Sequence, residues 1–409
     1  MQKFFYILKA VFNRPVEKII YMISGFFPRN KKVWVFGAQK KEFYCNPKHF
    51  FIWASLEGPS DVFCVWLSDS AKTVDKIREL GLSAERSRSI KGVFYRLRAG
   101  FYFYNCSIKD IGFQFSKGAV CINLWHGVPL KKIEGDQRVS ERQKFFANNN
   151  WLKVVSPRDF FSDTYVLSTA PYVTEKYFSS AFGKKPDAFI NLGYPRTDIL
   201  FKSRVEARCF FDAYELGLDG LLSELEGFDK VYLYAPTWRD SEVDFIQLSG
   251  LDLESVNSWL SSINGCMLFK LHPYTKIDLT ELDSGVFSNI KLVDRMADIN
   301  PLLYYADVLI TDYSSVYFDF LLTERPIVFF CFDLDSYISE CRDLYEPYHS
   351  FTPGVKAHSF EELLSALKHI DTGLDNYAVE RARLRELIWG SYSGEASKDL
   401  AGWIERLKV

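Results

Sequence analysis

The chain has 409 residues, 48% of them hydrophobic and 25% charged, with a formal net charge of -2. That length exceeds one ordinary core and fits two domains of roughly 150–200 residues; the composition excludes a disordered chain, and the near-neutral charge gives no electrostatic ground for nucleic-acid binding. A content of 36 Phe and 23 Tyr points to large aromatic cores or to a surface that meets something apolar.

The first 32 residues, MQKFFYILKAVFNRPVEKIIYMISGFFPRNKK, hold seven basic residues and one acid among Phe, Ile, Leu and Tyr. No apolar run there reaches the ~18–20 residues that span a bilayer, and no small-residue cleavage site follows a short apolar core, as a secretory signal requires. Basic and bulky apolar side chains together suit a helix lying in an anionic membrane surface. A helix docked on the protein body is the equal alternative.

From residue 33 short apolar runs alternate with helical patterns. KVWVFGA (32–38) reads as a strand entering a glycine turn, FFIWASL (50–56) as a helix, DVFCVWLS (61–68) as a strand and AKTVDKIRELG (71–81) as a helix with a glycine stop. AGFYFYNC (99–106), AVCINLWHG (119–127), KVVSP (153–157) and AFINLGYP (188–195) are further strands. After an acidic, leucine-rich stretch at 211–228, a second series follows: KVYLYAPTW (230–238), CMLFKLHP (266–273), NIKLVD (289–294), DVLITDYSS (307–315) and PIVFFCF (326–332). Amphipathic helices near 251–263, 299–306, 316–323 and 359–370 separate these strands, and two helical segments close the chain. Such alternation predicts parallel sheets covered on both faces. The expected α/β organisation is an N-terminal segment (1–32), two domains (33–205 and 206–378) and terminal helices (379–409). Neither G-x-G-x-x-G nor G-x-x-x-x-G-K-[ST] occurs, so the usual nucleotide fingerprints are missing.

Two apolar runs end at a histidine, one in each half: INLWHG at His126 and LFKLHP at His272. Ligands of open α/β sheets bind beyond the carboxyl ends of strands. There a histidine can take a hydroxyl proton or, as imidazolium, donate to a phosphate oxygen. Each alone is equally a buried, hydrogen-bonded histidine. LITDYSSVYFDF ends a buried strand at Asp312, places Ser314 and Ser315 at the start of a helix, and suggests an anion socket of backbone N–H groups and hydroxyls; plain helix capping is the other reading. YAPTWRD brings Thr237 and Arg239 to a strand exit, Arg239 offering a planar cationic fork or simply pairing with Asp240. GYPRTD is a strand-exit turn carrying Arg196, a candidate for the acceptor side of a cleft, and an Asp198 suited to cap the next helix; a plain domain-edge turn is the other reading. Gly127 makes the turn after the first histidine, and Lys131 with Lys132 meets an anionic acceptor or solvent. Eight scattered cysteines with no C-x-x-C imply a reducing compartment and no structural zinc. Asp333-Leu334-Asp335 is a D-x-D of the kind that arises often by chance, so no metal is expected.

In this order, WHGVPLKKI, GYPRTD, YAPTWRD, KLHPY and DVLITDYSSVYFDFLLTERPIVFF resemble the CDP-glycerol glycerophosphotransferase family, which builds or primes teichoic acids and related capsular polymers. The resemblance covers about residues 33–355, with NPKHFF (46–51) included. It implies a GT-B fold, two Rossmann-like doubly wound domains facing across a cleft. It further implies His126 as general base, His272 at the pyrophosphate of the CDP-glycerol, and Ser314, Ser315, Asp312, Thr237 and Arg239 completing that substrate's site. Arg342 stands where the family often has an Arg-Gly pair, although Asp343 follows it here. The implied partners are CDP-glycerol, a membrane-linked glycan or polyol-phosphate acceptor and an anionic membrane at its cytoplasmic face, without a cofactor. CDP-ribitol or a nucleotide sugar as substrate, a UDP-sugar epimerase of the same fold, and a non-catalytic membrane-bound assembly factor are the competing readings.

Overall fold

The computed structural model describes residues 14–39, 42–137, 158, 161–215, 217–238, 248–272, 275, 285–340 and 343–407. The chain falls into two compact units, one holding Met1–His126, Arg138–Asp198 and Tyr392–Val409, the other Gly127–Gln137 and Ile199–Ser391.

In the first unit β1 (Asn30–Phe36), β2 (Phe63–Ser68), β3 (Ala84–Arg86), β4 (Ala99–Tyr104), β5 (Val120–Asn123), β6 (Tyr165–Ser168) and β7 (Phe189–Asn191) form one sheet in the order β3-β2-β1-β4-β5-β6-β7. The second unit contributes β8 (Lys230–Tyr234), β9 (Gly265–Phe269), β10 (Ile290–Leu292), β11 (Val308–Thr311), β12 (Ile327–Phe330) and β13 (Val355–Ala357), ordered β10-β9-β8-β11-β12-β13. All pairings in both are parallel. The wiring is the same: three strands step outward to one edge, and the fourth returns beside the first. That reversal makes a switch point between β1 and β4 and another between β8 and β11. The expected α/β class therefore holds. The strands the sequence reading passed over, β3, β6 and β13, are three or four residues long, too short for an apolar run to stand out. The expected strand at 153–157 lies outside the described residues.

Strand burial explains the lack of alternation in the sequence. The residues of β4 and β5 are all buried, as parallel strands covered on both faces must be. One face of the first sheet packs Trp34, Phe36 and Phe103 against Phe50 of the helix Cys45–Leu56, with ring centroids 4.8–5.8 Å apart. That helix is buried nearly all round, nine of its twelve residues including Asn46, Lys48 and His49. The second sheet packs Tyr234, Met267, Phe269, Ile310 and Phe330 under the helices Leu253–Ser262 and Phe360–Asp371.

Residues 14–24 are helical, and one side of this helix docks on the protein body. Tyr21 stacks on Phe113 at 4.5 Å and Glu17 pairs with Arg158 at 2.8 Å. Just beyond, the Arg29 guanidinium donates to the carbonyls of Arg96 (2.6 Å), Phe115 (2.7 Å) and Lys117 (2.6 Å). On the other side Val16, Ile19, Met22 and Ile23 stay exposed, as does Phe26 at 86%. So Arg29, one of the seven basic residues, is a structural staple.

The GYPRTD turn joins distant parts of the first unit. Gly193 has φ +82°, and a Cβ there would stand 2.4 Å from the Tyr392 ring, so glycine is required twice over. Asp198 does not cap the next helix, as expected. Its carboxylate instead accepts from Ala396 N–H (2.8 Å), Ser397 N–H (2.9 Å), Ser397 Oγ (2.7 Å) and Tyr392 Oη (2.6 Å). It thereby caps the last helix, Ala396–Arg406, whose own N-cap residue Glu395 supplies no side-chain bond. Replacing Asp198→Ala removes four hydrogen bonds to a charged acceptor and is expected to cost about 2–3 kcal/mol. Thermal denaturation would record that loss, and hydrogen exchange would show it concentrated in residues 396–406.

Candidate active site

In the first unit the site is built where β4 and β5 end. Trp125 has φ +51° and Gly127 φ +143°. The first is a strained conformation for a bulky residue; the second favours glycine. Four residues hold the Trp125 turn. Its N–H donates to Asn123 Oδ1 (3.0 Å), and its indole meets Phe182 edge-on at 4.8 Å. Asn46 Nδ2 donates to the carbonyls of Leu124 (2.9 Å) and Trp125 (3.0 Å). Arg196 Nη1 donates to the His126 carbonyl (2.5 Å) and lies 3.4 Å from Cys45 Sγ.

The imidazole of His126 then lies against Trp125, centroids 4.0 Å apart, with Nδ1 2.9 Å from the carbonyl oxygen of Asn105. A carbonyl only accepts, so Nδ1 carries the hydrogen and Nε2 keeps its lone pair. Dense protein around the ring lowers its pKa below the ordinary histidine value. The Asn105 bond opposes that shift, and the Arg196 guanidinium adds to it. The residue is nonetheless exposed within the structure, and contact with water limits the depression. The result is a neutral base at neutral pH with a fixed tautomer.

In the second unit the switch point is occupied by the Asp312-Tyr313-Ser314-Ser315 turn. Asp312 is 1% exposed. Its Oδ1 accepts the N–H of Thr237 (2.8 Å), across the switch point at the exit of β8, and that of Tyr313 (2.5 Å). Thr311 Oγ1 donates to the Ala235 carbonyl (2.7 Å), and Tyr348 Oη to the Asp312 carbonyl (2.9 Å). Asp312 thus positions two strand-exit loops against each other. Ser314 is half-buried and Ser315 exposed. Ser315 takes the N-cap position of the short helix Val316–Phe320 without making a side-chain cap bond, while Ser314 Oγ accepts weakly from Val316 N–H at 3.4 Å. His272, three residues past β9, is exposed, its ring stacked over Trp238 at 6.0 Å and 25°.

The structure brings Thr237, Asp312, Ser314 and Ser315 into one region, and Trp238 adjoins His272. Arg239 and Arg342 lie outside the described residues. Arg196 is buried and serves the His126 turn. Lys131 Nζ sits 4.9 Å from the Tyr337 ring centroid, and the Lys132 N–H donates to the Asp343 carbonyl (2.9 Å), so the loop after His126 is fastened within the second unit. Asn46 and Asn105 were not singled out from sequence as site residues. Asn105 carries the signal that marks Asp312, a polar residue directly after a buried apolar run; Asn46, between Cys45 and Pro47, carries none.

Two parallel sheets wired alike, one ending in a base-competent histidine and the other in a serine turn at its switch point, define a GT-B-like transferase. A solved structure of the wall teichoic acid polymerase TagF has the same fold, with TM-score 0.74 and 24% identity over 99% of this chain and 97% of that one. The family model for CDP-glycerol:poly(glycerophosphate) glycerophosphotransferase matches residues 19–406. This chain belongs to that family and is an enzyme of its kind, a CDP-glycerol-dependent glycerophosphotransferase. Among its relatives, the teichoic acid poly(glycerol phosphate) polymerase of Bacillus spizizenii is 30% identical over 371 residues, 86% of this chain and 87% of that protein. The teichoic acid glycerol-phosphate transferase of Staphylococcus aureus is 27% identical over 399 residues, 96% and 98% of the two chains.

Because Asn46 alone bonds two carbonyls of the Trp125 turn, Asn46→Ala should lower kcat by about ten- to a hundredfold through a displaced imidazole. The Michaelis constant for CDP-glycerol should change little. Steady-state kinetics with a melting curve as control would check this.

Proposed function

We propose that the enzyme moves glycerol phosphate from CDP-glycerol to a hydroxyl of a membrane-linked glycan or polyol-phosphate acceptor, releasing CMP, in the synthesis of teichoic acid or a related polymer. The observation that carries the mechanism is the Nδ1–H bond from His126 to Asn105, which leaves Nε2 as an acceptor. Nε2 takes the proton of the acceptor hydroxyl while that oxygen attacks the glycerol-bearing phosphorus. The bond from that phosphorus to the bridging oxygen breaks, and CMP departs with the electron pair. Negative charge grows on the bridging and equatorial oxygens. His272, Arg239 and the Ser314–Ser315 turn are the groups suited to meet it. Asp312 and Thr237 hold that turn in place. The names of the relatives support an acceptor of the teichoic acid class, and a TagF variant soaked with CDPG supports the nucleotide substrate.

His126→Ala and His272→Ala should each abolish most turnover while the fold persists. Loss of one such group typically costs about 10²–10³ in rate for a charge-stabilising contact and ~10²–10⁴ for a general base. In the unaltered enzyme kcat/KM should rise with pH as His126 loses its proton. Since the dense protein around the ring lowers that pKa, the acid limb should bend below pH ~6.5, the ordinary histidine value. CMP release followed across pH would measure it. Near-normal release by either variant removes the corresponding assignment.

Peripheral attachment to an anionic membrane is part of the same proposal. Among the described residues no helix is long and apolar enough to cross a membrane. The exposed face Val16, Ile19, Met22, Ile23 and Phe26 faces away from the body, and Arg98 Nη1 bonds the Pro28 carbonyl at 3.0 Å. This places the helix Ile90–Arg98, with Phe94 exposed at 56%, alongside. Lys31 and Lys32 border the segment and suit anionic lipid. An Ile19→Asp, Phe26→Asp double variant should bind anionic vesicles at least about tenfold more weakly, as two bulky apolar side chains contribute ~1.5–3 kcal/mol each. Vesicle co-sedimentation is the measurement, with unchanged CMP release toward a soluble acceptor analogue as the control.

A further inference from the structure

A concavity of about 510 Å³ opens in the second unit where β12 ends, walled by residues 331–336 on one side and by His349 and His358 on the other. Its polar lining is Asp333, Asp335, Ser336, His349 and His358; Cys331, Phe332 and Leu334 supply apolar surface. Asp333 Oδ1 accepts from Tyr313 Oη at 2.8 Å, and Tyr313 stacks on Tyr337 at 3.8 Å. Tyr313 belongs to the Asp312–Ser315 turn, so one side chain separates this concavity from the proposed phosphate socket. Its chemistry is opposite in kind. Two carboxylates accept hydrogen bonds and repel phosphate, imidazoles both donate and accept, and the apolar wall suits C–H groups.

We propose that this concavity binds the uncharged polyol end of the nucleotide substrate while the adjoining turn binds its diphosphate, so that Asp335, His349 and His358 read the hydroxyl pattern and set the choice of polyol. The inference rests on the CDP-glycerol reading and deepens it. A polyol presents vicinal O–H donors to carboxylates and C–H edges to Phe332 and Leu334. At about 30 Å³ per water, the volume holds a three-carbon polyol with room to spare. A five-carbon polyol is therefore not shut out by size, and discrimination rests on hydrogen bonds. A divalent cation is the rival occupant, given the D-x-D spacing of Asp333 and Asp335. Among the described residues, however, no three ligand atoms of this concavity gather within 4.8 Å of one another.

The test compares the affinities of the full chain for CDP-glycerol, CDP-ribitol and CMP by titration calorimetry. The Asp335→Ala and His358→Ala variants are compared with it, each checked by melting, and Asp335→Asn serves as the conservative control. Loss of a hydrogen bond to a charged group predicts CDP-glycerol binding weakened about tenfold or more. CMP affinity should stay unchanged, the preference for glycerol over ribitol should shift, and Asp335→Asn should recover part of the loss. Equal weakening for CMP and CDP-glycerol, or no change for either, would overturn the assignment while leaving the CDP-glycerol reading intact. A metal-dependent melting shift with Mn²⁺ or Mg²⁺ that Asp335→Ala abolishes would overturn it in favour of a cation site. If the unaltered protein binds CDP-glycerol and CDP-ribitol no better than CMP, the functional reading fails and the polyol site falls with it.

Discussion

At the carboxyl edge of a parallel sheet the chain must turn away while its last backbone N–H and C=O groups, already leaving the ladder, still find partners. In both units a short polar side chain at a strand end meets that demand. Asn123 takes the Trp125 N–H, Asn105 Oδ1 takes the Gln39 N–H at 3.0 Å, and Asp312 takes the Thr237 N–H. The Asn105 and Asp312 contacts each cross a switch point, joining the loop after the first strand to the loop after the fourth. The same contacts that keep buried polar groups satisfied thus set the geometry of the proposed chemistry. Asn105 shows the economy of this arrangement: its side chain closes the β1 exit, while its carbonyl decides which nitrogen of His126 holds the proton.

Around these strand ends several of the motifs act as braces. Arg196 and Asp198 stand two residues apart in one turn, one bonding the His126 carbonyl and the other capping the final helix. The aromatic residue within the serine turn is wholly buried: Tyr313 lies between Tyr337 and Tyr348 and bonds Asp333. Burial and the neighbouring Asp333 carboxylate push its hydroxyl pKa far up, so it remains a proton donor. Its role is structural: it ties the turn at β11 to the segment following β12.

Strand-and-helix alternation, the two histidine-ended runs and the serine turn were readable from the linear text because each is a local event, an apolar run that stops at a polar residue. The short edge strands β3 and β13 were not, since three residues carry no period. Nor was the destination of Asp198, whose partners lie almost two hundred positions further on. A capping carboxylate looks the same in sequence whether it serves the next helix or the last one. Arg196 posed the same difficulty: a guanidinium in a turn looks available for an anion, and only its burial beside Cys45 reveals that it is committed to the backbone. Residues that touch a substrate and residues that hold the loop in position share the same letters. They are told apart by where their hydrogen bonds end.

A nucleotide-linked polyol is chemically lopsided, with a diphosphate carrying negative charge at its middle and neutral hydroxyls at one end. The second unit offers environments of matching character on the two sides of Tyr313. The Ser314–Ser315 turn presents N–H and O–H donors, suited to the charged portion; the Asp333–Asp335 wall presents acceptors, to which a phosphate is repelled and a hydroxyl attracted. Opposed fields of this kind orient a ligand even before close contacts form, because the reversed pose brings phosphate toward carboxylate. Orientation is what an in-line displacement needs. In the proposed pose, with the diphosphate at the serines and the polyol at the carboxylates, the glycerol-bearing phosphorus lies between them and the leaving oxygen points away from the polyol. On this proposal, charge sorting within one unit would do part of the work that geometric positioning does in the transition state, through side chains that need never touch the reacting atoms.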